Sequence, residues 1–251
     1  GGRGQGSQGQ KASDAAIPQS LFKAQAKVAL SIIHTHREEC VGKAVLLFVS
    51  GYADIEEMSE ALLSVSPTMV VKGREVVINY KIIPLHSELS DEQQELVFQP
   101  VDADNNETKI IIATNIAESS ITLPDLDVVI CFGTSKNLKY DQRTHTTMLV
   151  ESWITKDSST QRAGRTGRVR AGKIYRLYPE NLYRTFAEHG ISEFQRQPVQ
   201  EVILSLRVML ESSNGFRGVL PILEELPEPP DLDNVERSMK LLFESGMISS
   251  S

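Results

Sequence analysis

Residues 160–178, TQRAGRTGRVRAGKIYRLY, concentrate six basic side chains (Arg162, Arg165, Arg168, Arg170, Lys173, Arg176) with no acidic residue among them. Glycines at 164, 167 and 172 punctuate the run. Arginine presents a planar, permanently charged fork that matches phosphate oxygens. The small residues between the arginines let a phosphate chain or a second domain approach the backbone. On a helix, the spacing of three at 162, 165 and 168 predicts one basic face. The amide of Gln161, at the head of the run, suits it to orient a water or sense a terminal phosphate. The chain as a whole carries a formal net charge of −7. That excludes a general coat for nucleic acid, so the anion site must be local.

Other chemistries find little support. Cys40 and Cys131 lie far apart beside apolar runs, which fits neither a disulfide framework nor a metal site. They read as buried thiols of a protein kept in a reducing compartment. His34, His36, His86, His145 and His189 show no metal-ligand pairing. No apolar run approaches the ~20 residues that span a bilayer, and no signal-peptide pattern opens the chain. The expectation is an intracellular protein, cytoplasmic or nuclear, without a membrane partner. A length of 251 residues accommodates one large domain, or a medium one with a small companion.

The elements that must position the basic run alternate in type. Residues 1–16 are rich in Gly, Gln and Ser and read as a flexible linker or an appended remnant. Apolar spacing between Pro18 and His36 predicts a helix, and KAVLLFVS (43–50) a strand buried on both faces. Asp54–Leu63 reads as helix, 80–87 as strand, 91–98 as helix, and 109–114, 127–133 and 172–178 as strands. Such alternation predicts βαβ units and a parallel sheet with helices on both faces. Ligands of such sheets bind beyond the carboxyl ends of the strands, where ATNIAESS (113–120) falls. Residues 66–79 read as a loop or hairpin insertion and 135–154 as a β-hairpin. Beyond Pro179 the pattern turns helical, with amphipathic helices at 198–210 and after the Pro-rich stretch at 227–230. The last of these has an apolar face and nothing after it to cover that face, which suggests a piece of a larger protein.

QRAGRTGR (161–168) resembles motif VI of superfamily 2 helicases in the DEAH/RHA form that leads with Gln. LLFVSGYADIEEMSEAL (46–62) resembles motif IV, and IIATNIAESSITLPDLDVVICFG (111–133) resembles motif V. PLHSELSDEQQELVF (84–98) is similar to the segment that leads to the base-stacking position. The stretch LVESWITKDSSTQR looks closest to the branch that includes YTH-domain and Tudor-domain helicases. The resemblance implies a second RecA-like domain over 17–180. A small, mostly helical extension over 181–251 would begin a winged-helix domain. It also implies ATP in the cleft between two RecA-like domains. The first domain would supply the P-loop and the DEAH carboxylates that hold most of the Mg²⁺; neither motif occurs in this sequence. Half an active site is expected, and this piece alone is expected to be inactive.

By the same resemblance, Gln161 positions the attacking water, and Arg165 and Arg168 act as arginine fingers on the terminal phosphoryl group. Phe98, Thr122, Asp125, Arg162 and Gly164 belong to the nucleotide side. Phe98 is the base-stacking ring or, read plainly, a core Phe at a helix end. Arg162 is expected to hold motif VI in place through neighbouring carboxylates. Pro124 stands where the family often has Asp or Asn, with Asp125 beside it. Ser50, Gly51, Thr114 and Asn115 match positions that contact the RNA backbone. Ser50–Gly51 also reads as an ordinary strand-to-helix turn. Cys131 occupies the place of a common Asp, with no function attached to the change. The hairpin at 135–154 either separates strands or simply extends the sheet. The implied activity is that of an ATP-dependent RNA helicase, with single-stranded or duplex RNA, the first RecA-like domain and protein activators as partners. A non-catalytic scaffold derived from a helicase, or a DNA helicase, remains the alternative.

Overall fold

The computed structural model describes residues 17–18, 20–119, 123, 125–141, 146–168, 171–190, 199–211 and 218–248. The expected linker at 1–16 and the expected nucleotide-side residue Thr122 lie outside them. The described residues fall into two compact units, 17–136 with 151–190 and 137–150 with 199–248. The strands, in chain order, are β1 (Ala44–Phe48), β2 (Thr68–Val71), β3 (Arg74–Val77), β4 (Asn79–Leu85), β5 (Glu107–Ala113), β6 (Leu126–Cys131), β7 (Thr134–Asp141), β8 (Thr146–Trp153) and β9 (Lys173–Arg176).

Five of them form one sheet in the order β4-β5-β1-β6-β9, with every pairing parallel. The central strands are buried on both faces, which is why their cores, AVLLF, IIIA and VVIC, are continuous apolar runs rather than alternating ones. Register aligns Leu46 with Ile111 and Val129, and Leu47 with Ile112 and Ile130. Successive residues point to opposite faces. Val45, Leu47, Ile110, Ile112, Val128 and Ile130 meet helices α1 (Leu21–Thr35) and α2 (Tyr52–Leu63) through Ala29, Ile33, Ile55, Met58 and Leu62. Leu46, Phe48, Ile111, Ala113 and Val129 meet Val97, Ala117 and Leu123 on the other face. Helices on both faces were the expectation for this chain, and both are present.

Local signals explain the ends of these elements. Ser90 and Gln93 make a reciprocal capping box at the start of α3 (Asp91–Glu95), which continues as a 3₁₀ turn over Leu96–Phe98. Gln25, buried on α1, donates to the carbonyls of Phe132 (2.7 Å) and Leu177 (2.8 Å) and so joins the chain just past β6 to the chain just past β9. The insertion at 66–79 is the β2–β3 hairpin, closed by Lys72 and Gly73, both at positive φ. β7 and β8 pair only with each other, so they form their own ribbon and do not extend the five-stranded sheet. In the second unit, helices Gln200–Glu211, Leu220–Glu224 and Leu232–Glu244 enclose Ile203, Leu223, Val235 and Leu242. The buried hydroxyl of Ser238 accepts from the Val199 amide at 3.2 Å.

Candidate nucleotide and nucleic-acid site

The basic run begins on helix α4 (Lys156–Ala163), which opens at Thr155, whose hydroxyl accepts from the Ser158 amide at 3.2 Å. Gly164 ends the helix after barely two turns. The expectation of three arginines on one helical face is therefore corrected: Arg162 is on the helix, while Arg165 and Arg168 lie on the turns beyond it. Gly167, at φ +78°, supplies a left-handed step between them that a side chain would strain. The three arginines consequently point to three different environments.

Arg162 is fully buried. Its Nε donates to Glu118 Oε1 at 2.7 Å, and Nη2 lies 2.7 Å from the same oxygen. The Ser158 hydroxyl donates to that oxygen too, at 2.9 Å. Nη1 donates to the Thr134 carbonyl at 3.2 Å and approaches Cys131 Sγ at 3.7 Å, with the Phe48 ring beneath the guanidinium. Arg162 thus acts as an internal anchor of α4 and does not reach the surface where a nucleotide would lie. Glu118 is the carboxylate that neutralises this guanidinium.

Arg165 is half-buried and walls a small pocket with Leu46, Leu85, Leu123 and Leu126; Arg168 is exposed, as are Gln161 and Gly164. Partial burial lowers the pKa of Arg165 from its ordinary value, and the positive charge of Arg168 lowers it further. The Thr166 hydroxyl pins the intervening turn by donating to the carbonyls of Leu126 (3.2 Å) and Asp127 (3.3 Å).

Phe98 is 54% exposed on its 3₁₀ turn, which removes the reading of it as a core residue. Lys109, itself buried, ties this turn to the start of β6: its ammonium donates to the Val97 carbonyl at 2.9 Å and pairs with Asp125 at 2.8 Å. Phe98 and Asp125 are therefore brought together around one lysine at the amino ends of the strands. At the carboxyl ends, Ser50 is buried, and its amide (3.1 Å) and hydroxyl both donate to Asp54. The Thr114 amide donates to the Leu85 carbonyl at 3.1 Å, and Asn115 beside it is exposed. The backbone-contact candidates Ser50, Gly51, Thr114 and Asn115 thus share one edge of the sheet. Among the described residues no three His, Cys, Asp or Glu side chains converge as a metal site.

Residues 25–170 match the family described as helicase conserved C-terminal domain. The chain belongs to this family. A putative DEAH-box ATP-dependent helicase, UM11114, of Mycosarcoma maydis is 35% identical over 211 residues, covering 84% of this chain and 13% of that protein. The ATP-dependent RNA helicase dhx29 of Xenopus laevis is 37% identical over 204 residues, covering 81% and 14%. The DExH-box ATP-dependent RNA helicase DExH1 of Arabidopsis thaliana is 34% identical over 208 residues, covering 83% and 20%. The chain therefore spans a fifth or less of the length of these relatives. The crystal structure of the Escherichia coli DExH-box NTPase HrpB shares the fold, at a TM-score of 0.65 and 22% identity over 95% of this chain and 26% of that one.

This is a helicase C-terminal domain of the DEAH type, with a RecA-like sheet. Sequence reasoning passed over Glu118, Ser158 and Lys109, the residues that hold the helicase motifs to one another. Glu118 was only implicit, as a carboxylate expected near Arg162. Lys109 opens a buried strand, where a lysine ordinarily reads as solvent-facing.

Proposed function

We propose that this chain is the C-terminal RecA-like half of an ATP-dependent RNA helicase, and that Arg165 and Arg168 close onto the terminal phosphates of ATP held by a first RecA-like domain. The observation that carries the reading is the placement of half-buried Arg165 and exposed Arg168 on one turn fixed from beneath by Arg162–Glu118 and Thr166. Gln161, exposed beside them, orients the attacking water. Phe98 stacks on the base, and Asp125 and Gly164 belong to the same nucleotide half-site, as Thr122 does by the resemblance of its motif. ATP is the substrate, and the Mg²⁺ that neutralises its phosphates is held mainly by the first domain. Single-stranded RNA follows the carboxyl edge, where hydroxyls and backbone amides meet phosphates without reading sequence. Duplex RNA, the first domain and protein activators complete the partners of an intracellular, cytoplasmic or nuclear enzyme. The helical extension over 181–251 begins the winged-helix domain, and the β7–β8 ribbon is the strand-separating element.

The test is RNA-stimulated ATP hydrolysis by the full-length protein, compared with Arg165→Ala. Turnover falls by about 10³-fold or more while the unfolding midpoint stays put. Equal turnover in both proteins removes the finger assignment. Stimulation by single-stranded DNA as strong as by RNA would move the substrate to DNA.

A further inference from the structure

The carboxyl edge of the sheet carries more than hydroxyls and amides. Tyr52, the first residue of α2, is 53% exposed, and its ring meets His86 edge-on with centroids 5.2 Å apart. His86 follows the end of β4, while Tyr52 follows the end of β1. The strand between those two is β5, so the pair of rings brackets the Thr114–Asn115 corner. His86 is held in place: its Nδ1 accepts from the Glu88 amide at 3.3 Å, which leaves the proton of the neutral ring on Nε2.

On the other side of Gly51 stands Lys136. Its side chain lies so close that a Cβ at Gly51 would stand 2.8 Å from Cδ and 3.0 Å from Nζ. The Lys136 amide donates to the Ser50 carbonyl at 3.2 Å, which fixes the root of the side chain. Among the described residues the Lys136 ammonium makes no hydrogen bond and has no carboxylate within 4 Å. A half-buried cation thus stands one residue from an exposed ring that packs edge-on against a histidine. The Tyr52 hydroxyl lies against Glu56, with Glu88 near. These carboxylates repel a phosphate from the ring side and leave the Lys136 side as the place for it.

We propose that Tyr52 and His86 form a base-stacking step in the single-strand track and that Lys136 holds the phosphate beside it, with Gly51 required so that the lysine can lie flat on the backbone. The proposal rests on the RNA reading above and deepens it: one nucleotide is gripped by its base as well as its backbone. Every base has a π-face, so the step is tolerant of sequence.

The test uses the full-length protein and single-stranded RNA oligonucleotides carrying one 2-aminopurine at successive positions. Wild type quenches the probe at one position by stacking. Tyr52→Ala loses that quench and weakens binding about 5- to 150-fold, while Tyr52→Phe keeps both. Lys136→Met keeps the quench and lowers the slope of log affinity against log salt by about 0.7. If Tyr52→Ala leaves quench and affinity unchanged in a protein that still binds RNA, the stacking step is wrong and the RNA reading stands. Lower RNA-stimulated turnover at unchanged affinity would assign the rings to contact with the first domain and overturn the proposal. Absence of RNA binding by wild type removes the functional reading itself.

Discussion

Replacing Glu118 by Gln keeps the shape of the side chain and removes its charge. Arg162 then remains wholly buried, with only neutral contacts: the Thr134 carbonyl, Cys131 Sγ, the Phe48 ring and the new amide. Breaking a buried ion pair by deleting one partner costs about 3–5 kcal/mol, because the remaining charge is stranded. A folded domain has roughly 5–15 kcal/mol in all, so the loss is a large fraction of its stability. With a urea slope of about 2 kcal/mol/M, the unfolding midpoint falls by about 2 M. Arg162→Met should cost less than Glu118→Gln, since Glu118 is 15% exposed and keeps the Ser158 hydroxyl. The double variant Glu118→Leu/Arg162→Met should be more stable than Glu118→Gln alone. Equilibrium urea unfolding of the four proteins, followed by circular dichroism, measures the set. A loss below about 1 kcal/mol for Glu118→Gln, the worth of an exposed ion pair, would refute the anchor argument.

Burial pushes the Cys40 thiol up to about 11. Against an ordinary thiol near 8.5, its thiolate fraction at pH 8 is about 10²-fold smaller, so iodoacetamide should label native Cys40 at least that much more slowly than the urea-unfolded chain. The sign for stability follows: this contribution is intact below about pH 8.5 and is lost progressively as pH rises to about 11, because the unfolded thiol ionises first. Gly172→Ala places a Cβ onto the Thr166 hydroxyl and 3.0 Å from the Asp127 carbonyl, and should lower stability by about 1–3 kcal/mol. Gly190→Ala, with nothing among the described residues within 4 Å, is the control and should stay within about 0.5 kcal/mol; thermal melts compare the two. Phe98→Ala should change stability by less than about 0.5 kcal/mol yet raise the KM for ATP. Lys109→Met should lose about 2 kcal/mol or more by removing an ion pair to Asp125 and the donor to the Val97 carbonyl, so denaturation and ATP titration together separate the two roles.

The central strands were legible because burial on both faces forces a continuous apolar run, and VLLF, IIIA and VVIC have no competing reading. Helix α1 was legible from its 3.6-residue period. The arginine face was misread because a spacing of three puts side chains together only while a helix continues, and Gly164 stops this one. That stop signal is in the sequence, and weighing it would have separated Arg162 from Arg165. The Arg162–Glu118 pair was not legible, since the residues are 44 positions apart and either reads as a surface charge. The same holds for Lys109, which joins Phe98 to Asp125 across a turn and a strand. The exposure of Phe98 follows from a 3₁₀ turn that rotates it away from the core, a shift of geometry that composition does not encode.

The two outer strands of the sheet have a consequence for the chain before it is folded. AVLLF and KIIIA are uncharged or nearly so over five residues and strongly apolar, the second with three β-branched side chains, the composition that pairs indiscriminately with copies of itself. In the native order these segments are interior, and the borders are β4 and β9. β4 carries Pro84, which has no amide proton to offer a newcomer, and Lys81. β9 is four residues long and begins and ends on a charge, Lys173 and Arg176. Short, charged or proline-bearing borders resist the addition of a foreign strand. The strand order therefore does two things at once: it brings the ends of β4, β5 and β1 side by side along the carboxyl edge, and it keeps the chain's stickiest segments from templating an aggregate.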